Sequence, residues 1–308
     1  MSEFKLNVPV LFLIFNRPDT TQRVFNEIRK AAPPKLFVSA DGPRENKPGE
    51  FEKCQATRDI IKHVDWDCEV FTNFRDKNSG CKIAVSSGIS WFYENVEEGI
   101  ILEDDCLPCL SFFRFCEELL EKYRDDERIM QIGGTNLLNG WQRDDSSYYF
   151  SQYGAIWGWA SWRRAWKHYD VNMKLWPEVK AKKMFFDWFD HKREIQFWLN
   201  IYDKVYLGQI DTWDYQWDFA KRINLGLGIV PKVNLVSNIG FREDATHTKD
   251  KKHAFAELEC LNIEFPLRYP KVLRRNKISD NRFFDTFIKQ SFLKRVISKL
   301  KRFKEEFS

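Results

Sequence analysis

The stretch Gly99-Ile-Ile-Leu-Glu-Asp-Asp105 places three carboxylates directly after a short apolar run. A continuous apolar run of this length is typical of a strand that is buried on both faces of a sheet. In open α/β sheets, ligands bind beyond the carboxyl ends of the strands. The stretch therefore predicts a central strand that carries a concentrated acidic group to the ligand-binding edge of a sheet.

The residues before this stretch alternate between strand-like and helix-like segments. Apolar runs predict strands at residues 8–15, 35–40 and 68–72. Helices are predicted at 18–30, where Pro and an acidic residue occupy the first turn, and at about 81–96. This alternation predicts an α/β fold with a mixed, mostly parallel sheet and helices on both faces.

The region from about residue 133 to 239 is less regular and rich in tryptophan. Of the twelve tryptophans in the chain, ten lie between Trp141 and Trp217. Such a density predicts either a heavily aromatic core or a concave site that stacks on rings. An amphipathic helix is predicted near 176–206, and a strand near 228–235.

The charge of the chain is concentrated at its carboxyl end. The formal net charge is +4, but the last 38 residues contain twelve Lys or Arg against four Asp or Glu. The rest of the chain is therefore slightly acidic, which argues against nucleic acid as a partner. No secretory signal is visible, and seven cysteines without framework spacing indicate reduced thiols. We expect a cytoplasmic protein.

We divide the chain into a catalytic domain, residues 1–265, and a basic amphipathic helical tail, residues 266–308. From Phe283 to Phe307, apolar residues recur at spacings of three or four, with Lys and Arg between them. Such a helix can lie on an anionic membrane surface, which would place the protein peripherally at the inner membrane face. The alternative is a helix that packs on the domain or on a second subunit.

The triplet Glu103-Asp104-Asp105 predicts either a metal site or a surface loop. Adjacent carboxylates repel one another unless a cation compensates for their charge. A divalent ion with oxygen ligands, Mn²⁺ or Mg²⁺, is a suitable compensator and could bridge to a diphosphate. The alternative is a solvated acidic loop that caps the helix predicted to begin near Leu110.

Other charged residues also occupy places where a ligand could bind. Asp214 lies between two tryptophans, where desolvation would make its carboxylate a better base. The alternative is a helix N-terminus with Asp211 as its cap. Arg17 follows the first predicted strand, where a cation could meet a phosphate or a base. Asp41 follows the second and could bind a base or ribose, but either residue could equally belong to an ordinary turn.

Together, these motifs resemble in order and spacing those of the GT-A nucleotide-sugar transferases. The likeness is greatest to the inverting N-acetylglucosaminyltransferase I family and to related bacterial proteins. It covers about residues 8–248 and includes the strand ending in Arg, the strand ending in Asp-Gly and the Glu-Asp-Asp sequence. Further along come Ile156-Trp-Gly-Trp159, a Trp-Asp-x-x-Trp-like element at 213–217 and Asn-Ile-Gly-Phe at 238–241. The resemblance implies a GT-A, Rossmann-like fold for nucleotide-diphospho-sugar transferases.

The resemblance also implies roles for residues that would bind the donor. Asp105 takes the place of the carboxylate that binds Mn²⁺, and Asp104 that of the residue contacting the ribose. Glu103 would face the donor sugar, while Arg17 and Asp41 would hold the nucleotide base and its surroundings.

Two positions depart from the pattern of the family. Lys82 stands where the family has a His near the uracil, which leaves the base preference open. Asp214 matches the catalytic base, but two residues rather than one separate it from the next Trp. Asp211 is therefore kept as a second candidate for the base. The chain also lacks the amino-terminal membrane anchor of that family, which favours a cytoplasmic, bacterial-type enzyme.

The implied function is that of an inverting, metal-dependent glycosyltransferase. It would move a sugar, such as N-acetylglucosamine or another hexose, from a nucleotide-diphosphate donor, most simply a UDP-sugar. The acceptor would be a hydroxyl of a glycan or lipid-linked glycan. One alternative is a sugar-nucleotide nucleotidyltransferase, but the loop at 16–19 has no Gly to cradle a triphosphate. The other is a non-catalytic carbohydrate-binding protein, which would not need carboxylates at several strand ends.

Overall fold

The computed structural model of the chain describes residues 4–138, 140–141, 144–241 and 258–289. In these residues the strands are β1 (Val10–Ile14), β2 (Lys35–Ala40), β3 (Glu69–Phe74), β4 (Glu98–Glu103), β5 (Cys106–Pro108), β6 (Ile129–Gly133), β7 (Tyr148–Ser151), β8 (Trp159–Trp162), β9 (Leu227–Pro231) and β10 (Val236–Asn238). The α-helices are α1 (Pro18–Ala31), α2 (Glu50–Asp59), α3 (Gly80–Asn95), α4 (Leu110–Lys122), α5 (Arg163–Trp166), α6 (Trp176–Ala181), α7 (Lys192–Tyr206), α8 (Asp214–Ile223) and α9 (Lys277–Phe283). Short 3-10 turns lie at Ile60–His63 and Met184–Asp187, and a π-helical turn at Phe284–Lys289.

The main sheet contains eight of the described strands in the order β3-β2-β1-β4-β8-β6-β9-β7. Strands β3, β2, β1 and β4 are parallel to one another, and β6 is parallel to β9. Strands β8 and β7 run antiparallel to their neighbours. In a second, small sheet, β5 pairs antiparallel with β10. The predicted fold class, a mixed and mostly parallel α/β sheet, is confirmed.

Helices cover both faces of this sheet because alternate residues of a strand point to opposite sides. On one face, Phe12 of β1 packs in a core that includes Phe25 of α1 and the apolar side of α4. On the other face, Leu13 belongs to a core with Phe92 of α3 and Trp217 of α8. The central strands are therefore covered on both sides, as their continuous apolar sequence predicts.

Most of the tryptophans that the sequence concentrates after residue 141 lie in the core. Trp159, Trp162, Trp176 and Trp217 are among the largest fully buried side chains. The ring of Trp159 stacks on that of Trp213 at 5.9 Å and 19°. The aromatic-core interpretation therefore accounts for these residues.

The single helix predicted over 176–206 is wrong. The chain forms α6, leaves the helical conformation at Lys183, whose φ is 55°, and begins α7 only at Lys192. The sequence shows no interruption of the apolar pattern between α6 and α7, because Trp188 and Phe189 in the segment that connects the two helices are also buried. The strand predicted over 228–235 is also shorter, since β9 ends at Pro231.

The described part of the carboxyl-terminal region packs on the same domain. Leu267 is buried in the core beneath α4. Asp280 of α9 is 1% exposed; its carboxylate accepts a hydrogen bond from the Ser151 hydroxyl and forms an ion pair with Arg275. This network ties α9 to the end of β7.

The boundary at residue 265 and the membrane-binding tail stay predictions. The larger part of the amphipathic pattern, residues 290–308, lies outside the described residues. Within the described ranges, no helix combines the length and the apolar character needed to cross a bilayer.

Lys221 of α8 is a buried cation that links several elements. Its Nζ donates to Oε1 of Gln131 at 2.6 Å, and Nε2 of Gln131 donates to the carbonyl of Ala155 at 2.7 Å. Burial disfavours the charged ammonium and lowers the pKa of Lys221 from 10.5 to about 8. Between these two pH values the unfolded chain binds more protons than the folded chain, so the free energy of unfolding rises with pH.

Replacing Lys221 with Met should remove this pH dependence. From about pH 7.5 to about pH 9.5, the wild-type protein should gain about 1–2 kcal/mol in free energy of unfolding relative to Lys221→Met. Urea unfolding of both proteins at constant ionic strength measures this difference, in which the titration of all other groups cancels. A difference that is the same at both pH values would contradict a lowered pKa for Lys221.

Candidate active site

A cavity of about 690 Å³ opens at the carboxyl ends of β1, β2 and β4. The strand order reverses between β1 and β4, because β2 and β3 lie on one side of β1 and β4 lies on the other. Such a switch point forms a crevice, and ligands of α/β sheets bind there. All but one of the candidate residues from the sequence line the cavity, namely Arg17, Asp41, Glu103, Asp104, Asp105, Asp211 and Asp214. Lys82 lies on α3 but does not line it.

The guanidinium of Arg17 joins the ends of β1 and β4. Its Nη2 donates to Oδ1 of Asp104 at 2.6 Å, and its Nη1 donates to Oδ2 of Asp105 at 2.8 Å. The backbone N–H of Phe15, just past β1, donates to the other oxygen of Asp104 at 3.1 Å. Each of these residues is predicted past a strand, but the ion pair between them is not predicted by the sequence. The planar fork of arginine suits two carboxylates at once.

The electrostatics of the triplet follow from burial and from this arginine. Burial and the neighbouring charges of Asp105 and Asp104 raise the pKa of Glu103 to about 8. Burial also raises the pKa of Asp104, while the cation of Arg17 opposes that rise. Burial would lower the pKa of Arg17, but the carboxylates more than reverse this effect and keep the guanidinium charged. The triplet is therefore only partly compensated by protein groups.

Asp105 is held in place by the pairing of β5 with β10. Its carbonyl accepts a hydrogen bond from the N–H of Ile239 at 2.8 Å, one residue beyond β10. The next residue, Gly240, lies against the Asp105 carboxylate, and any Cβ at this position would collide with it. The small residue in the Asn-Ile-Gly-Phe segment thus allows close approach of the backbone to the acidic triplet.

The donor chemistry of the triplet fits a divalent ion that shares its coordination with a substrate. Among the described residues, no group of three or more His, Cys, Asp or Glu side chains is placed to hold a metal ion by itself. However, Mg²⁺ is usually held by one or two carboxylates together with water and substrate phosphates. Glu103 and Asp105 supply carboxylates at the cavity wall. The Mn²⁺ or Mg²⁺ at Asp105 stays a prediction.

The carboxylate of Asp41 is engaged by the protein itself. It accepts hydrogen bonds from the N–H of Gly42, the side-chain amide of Asn78 and the N–H of Ser79, each at 2.9 Å. Burial raises the pKa of Asp41, and the N–H donors oppose that rise. These bonds tie the end of β2 to the turn that precedes α3, which agrees with the structural alternative for this residue.

Helix α8 begins at Asp214, so the suggestion that Asp211 caps it is wrong. The residue at the cap position is Trp213, and Asp211 is exposed on the wall of the cavity. The carboxylate of Asp214 accepts a hydrogen bond from the Thr212 hydroxyl. The positive end of the helix dipole favours a negative charge at this position. The structure brings both aspartates to the same cavity as the acidic triplet.

The cavity wall also contains residues that sequence analysis did not single out. Arg44, in the loop after β2, lines the cavity and forms an ion pair with the buried Glu50. The side-chain amide of Asn16 donates to the same carboxylate at 2.9 Å. The signal that could have identified Arg44 is the one used for Arg17, a cation shortly after a predicted strand.

Comparisons with known proteins identify no family. No protein-family model matches the chain, and no curated protein is similar to it. The chain is weakly similar to the crystal structure of HddC from Yersinia pseudotuberculosis, with 10% identity, 56% of this chain and 86% of that chain covered, and a TM-score of 0.33. A UDP-glucose pyrophosphorylase in complex with UDP-glucose is 12% identical, with 53% of this chain and 71% of that chain covered and a TM-score of 0.30. A 4-diphosphocytidyl-2C-methyl-D-erythritol synthase from Anaerococcus prevotii is 7% identical, with 56% of this chain and 76% of that chain covered and a TM-score of 0.31.

Similarity at this level carries no conclusion about activity. None of these comparisons supports the resemblance to the N-acetylglucosaminyltransferase I family, which stays a prediction.

The Arg17 ion pair makes a testable contribution to stability. Arg17→Met leaves the buried carboxylate of Asp104 without its cation and should lower the free energy of unfolding by about 2–4 kcal/mol. Adding Asp104→Asn should restore part of this loss, because the uncompensated charge is removed. Urea unfolding at neutral pH measures both effects.

The matched control is Arg29→Met, which removes an arginine from the exposed ion pair with Asp65. Exposed pairs contribute at most about 1 kcal/mol, so this variant should unfold almost as the wild type does. Equal losses from Arg17→Met and Arg29→Met would show that the first pair does not hold the strand ends together.

Proposed function

We propose that this chain is an enzyme that binds a nucleotide-sugar in the cavity at the ends of β1 and β4 and transfers the sugar to a hydroxyl with inversion. The observation that carries the proposal is the meeting of Arg17 with Asp104 and Asp105 at the switch point of the sheet. Nucleotides bind α/β sheets at this place, and the guanidinium of Arg17 together with a divalent ion held by the excess of carboxylates would compensate for the charge of a diphosphate.

Two arginines of the cavity wall can contribute to binding the diphosphate. Arg17 and Arg44 line the cavity, and the guanidinium N–H groups that Asp104, Asp105 and Glu50 do not use would donate to phosphate oxygens. A Mn²⁺ or Mg²⁺ held by Asp105 would neutralise the charge that develops on the departing diphosphate. Glu103 and Asp104 would then face the sugar and ribose, as the sequence resemblance implies.

Asp214 is the proposed general base. Its carboxylate lines the cavity at the first residue of α8, where the helix dipole favours its charged form. The proton of the acceptor hydroxyl passes to this carboxylate while the oxygen attacks the anomeric carbon. The bond from that carbon to the diphosphate breaks on the opposite face, so the configuration is inverted. Asp211, on the same wall, is the second candidate.

A nucleotidyltransferase that makes a nucleotide-sugar is kept as the second candidate function. One of the weakly similar structures is named as a UDP-glucose pyrophosphorylase. The loop after β1, residues 16–19, contains no Gly, which argues against a cradle for a triphosphate. The two reactions release different products, and this difference separates them.

Product analysis tests the proposal. Incubation with UDP-, GDP- and CDP-sugars in the presence of Mn²⁺, together with glycan acceptors, should release nucleoside diphosphate. The second candidate predicts that pyrophosphate releases nucleoside triphosphate from the same nucleotide-sugars. Formation of nucleoside triphosphate without nucleoside diphosphate would replace the proposal with that candidate. If neither product forms, the chain would be a binding protein rather than an enzyme of either kind.

A pair of variants tests the base. Asp214→Asn keeps the shape of the side chain but cannot accept the proton, so turnover should fall by roughly 100-fold or more. The affinity for nucleoside diphosphate, measured by calorimetry, should change little because Asp214 does not hold the phosphates. Asp211→Asn is the matched control and should stay active. The reverse result, an active Asp214→Asn and an inactive Asp211→Asn, would move the role to Asp211.

A further inference from the structure

A second cavity of about 420 Å³ adjoins the first. Both cavities are lined by Ile156, Trp157, Asp214 and Tyr215. The two cavities therefore meet at the residue that we propose as the general base. The reaction proposed above needs two substrates at this carboxylate, and the first cavity accounts for only one of them.

The wall of the second cavity combines aromatic surfaces with a few polar groups. Its aromatic residues include Tyr153, Trp157, Phe197, Trp198, Tyr215 and Trp217. Its polar residues include Thr135, Ser151, Asp218, Lys221 and Ser279. A pyranose ring has an apolar face of C–H groups and an edge of hydroxyls. A pocket that is mainly aromatic, with a few directed polar groups, matches both parts of such a ring.

The aromatic wall is fixed by its own contacts. The hydroxyl of Tyr153 donates to the carboxylate of Glu194, which is 1% exposed. The guanidinium of Arg222 lies 5.1 Å from the ring centre of Tyr153 and 4.9 Å from that of Trp198. Arg222 is in turn paired with Asp218 at 2.7 Å. Side chains held in this way lose little freedom when a ligand binds, which favours binding.

We propose that the second cavity is the acceptor site and that it takes a pyranose unit. This inference rests on the proposed function. The ring lies along the aromatic wall and presents one hydroxyl to Asp214. That hydroxyl gives its proton to the Asp214 carboxylate, its oxygen forms the bond to the anomeric carbon of the donor, and the electron pair of the breaking bond leaves with the diphosphate.

Binding of simple sugars to the full-length protein tests the inference without catalysis. Trp157, Trp198 and Trp217 line the cavity, so a bound ring should change the tryptophan fluorescence. We expect a saturable change with at least one of the methyl pyranosides of glucose, galactose and N-acetylglucosamine at concentrations up to about 50 mM. Phe197→Ala removes part of the wall and should weaken this binding by about tenfold.

The matched control is Phe186→Ala, which removes an exposed phenylalanine that lines neither cavity and should leave sugar binding unchanged. A second variant, Ala155→Phe, places a large side chain in the second cavity and should abolish sugar binding. Ala155 lines the second cavity but not the first. Stabilisation by UDP, measured as a thermal shift, should be the same in all of these proteins and shows that they are folded.

The outcomes separate this inference from the proposed function. Nucleotide-sugar cleavage without saturable pyranoside binding, or equal effects of Phe197→Ala and Phe186→Ala, overturns the acceptor site alone. Pyranoside binding that is lost in Phe197→Ala, in a protein that neither binds nor cleaves nucleotide-sugars, overturns the proposed function and with it the acceptor role. Pyranosides that bind and also increase nucleoside diphosphate release support both.

Discussion

The ion pair of Arg17 with Asp104 and Asp105 is the constraint on which the rest of the site depends. Three consecutive carboxylates at the end of a buried strand would repel one another, and Asp104 is almost completely buried. The guanidinium supplies the compensating charge and at the same time fixes the end of β1 against the end of β4. The crevice at the switch point of the sheet is therefore a charged and ordered surface with an excess of negative charge.

This arrangement suits a ligand that carries both kinds of charge. The phosphates of a nucleotide-sugar can use Arg17 and Arg44, while the excess of carboxylates favours a divalent ion that such a ligand would share. Around this centre, α8 places Asp214 where the two cavities meet. The buried contact between Lys221 and Gln131 anchors the same helix to β6. The fold thus connects the charged crevice to a mostly aromatic cavity through one carboxylate.

Local sequence patterns were sufficient to predict the strands and helices whose formation depends on neighbouring residues in the chain. The apolar runs predicted β1, β2 and β4, and the Pro at the first turn located the start of α1. The same reasoning placed Arg17, Asp41 and the acidic triplet at one edge of the sheet, since the carboxyl ends of parallel strands lie together. It could not predict which of these charges bind one another, because the partners are 87 and 88 residues apart in the chain.

The remaining differences also come from long-range packing. Trp188 and Phe189 fit the apolar spacing of a helix in the sequence, but they are buried in the connection between α6 and α7. The hydrogen bonds of Asp41 with Asn78 and Ser79 could not be predicted either, because they join residues that are 37 and 38 positions apart in the chain.

The proposal depends above all on the binding of a diphosphate in the crevice at Arg17 and Asp105. Crystals grown with UDP, GDP or CDP and Mn²⁺ test it most directly. We expect diphosphate density in contact with Arg17 and next to Asp105. A diphosphate bound outside this crevice, or none at saturating nucleotide, would contradict the proposed site.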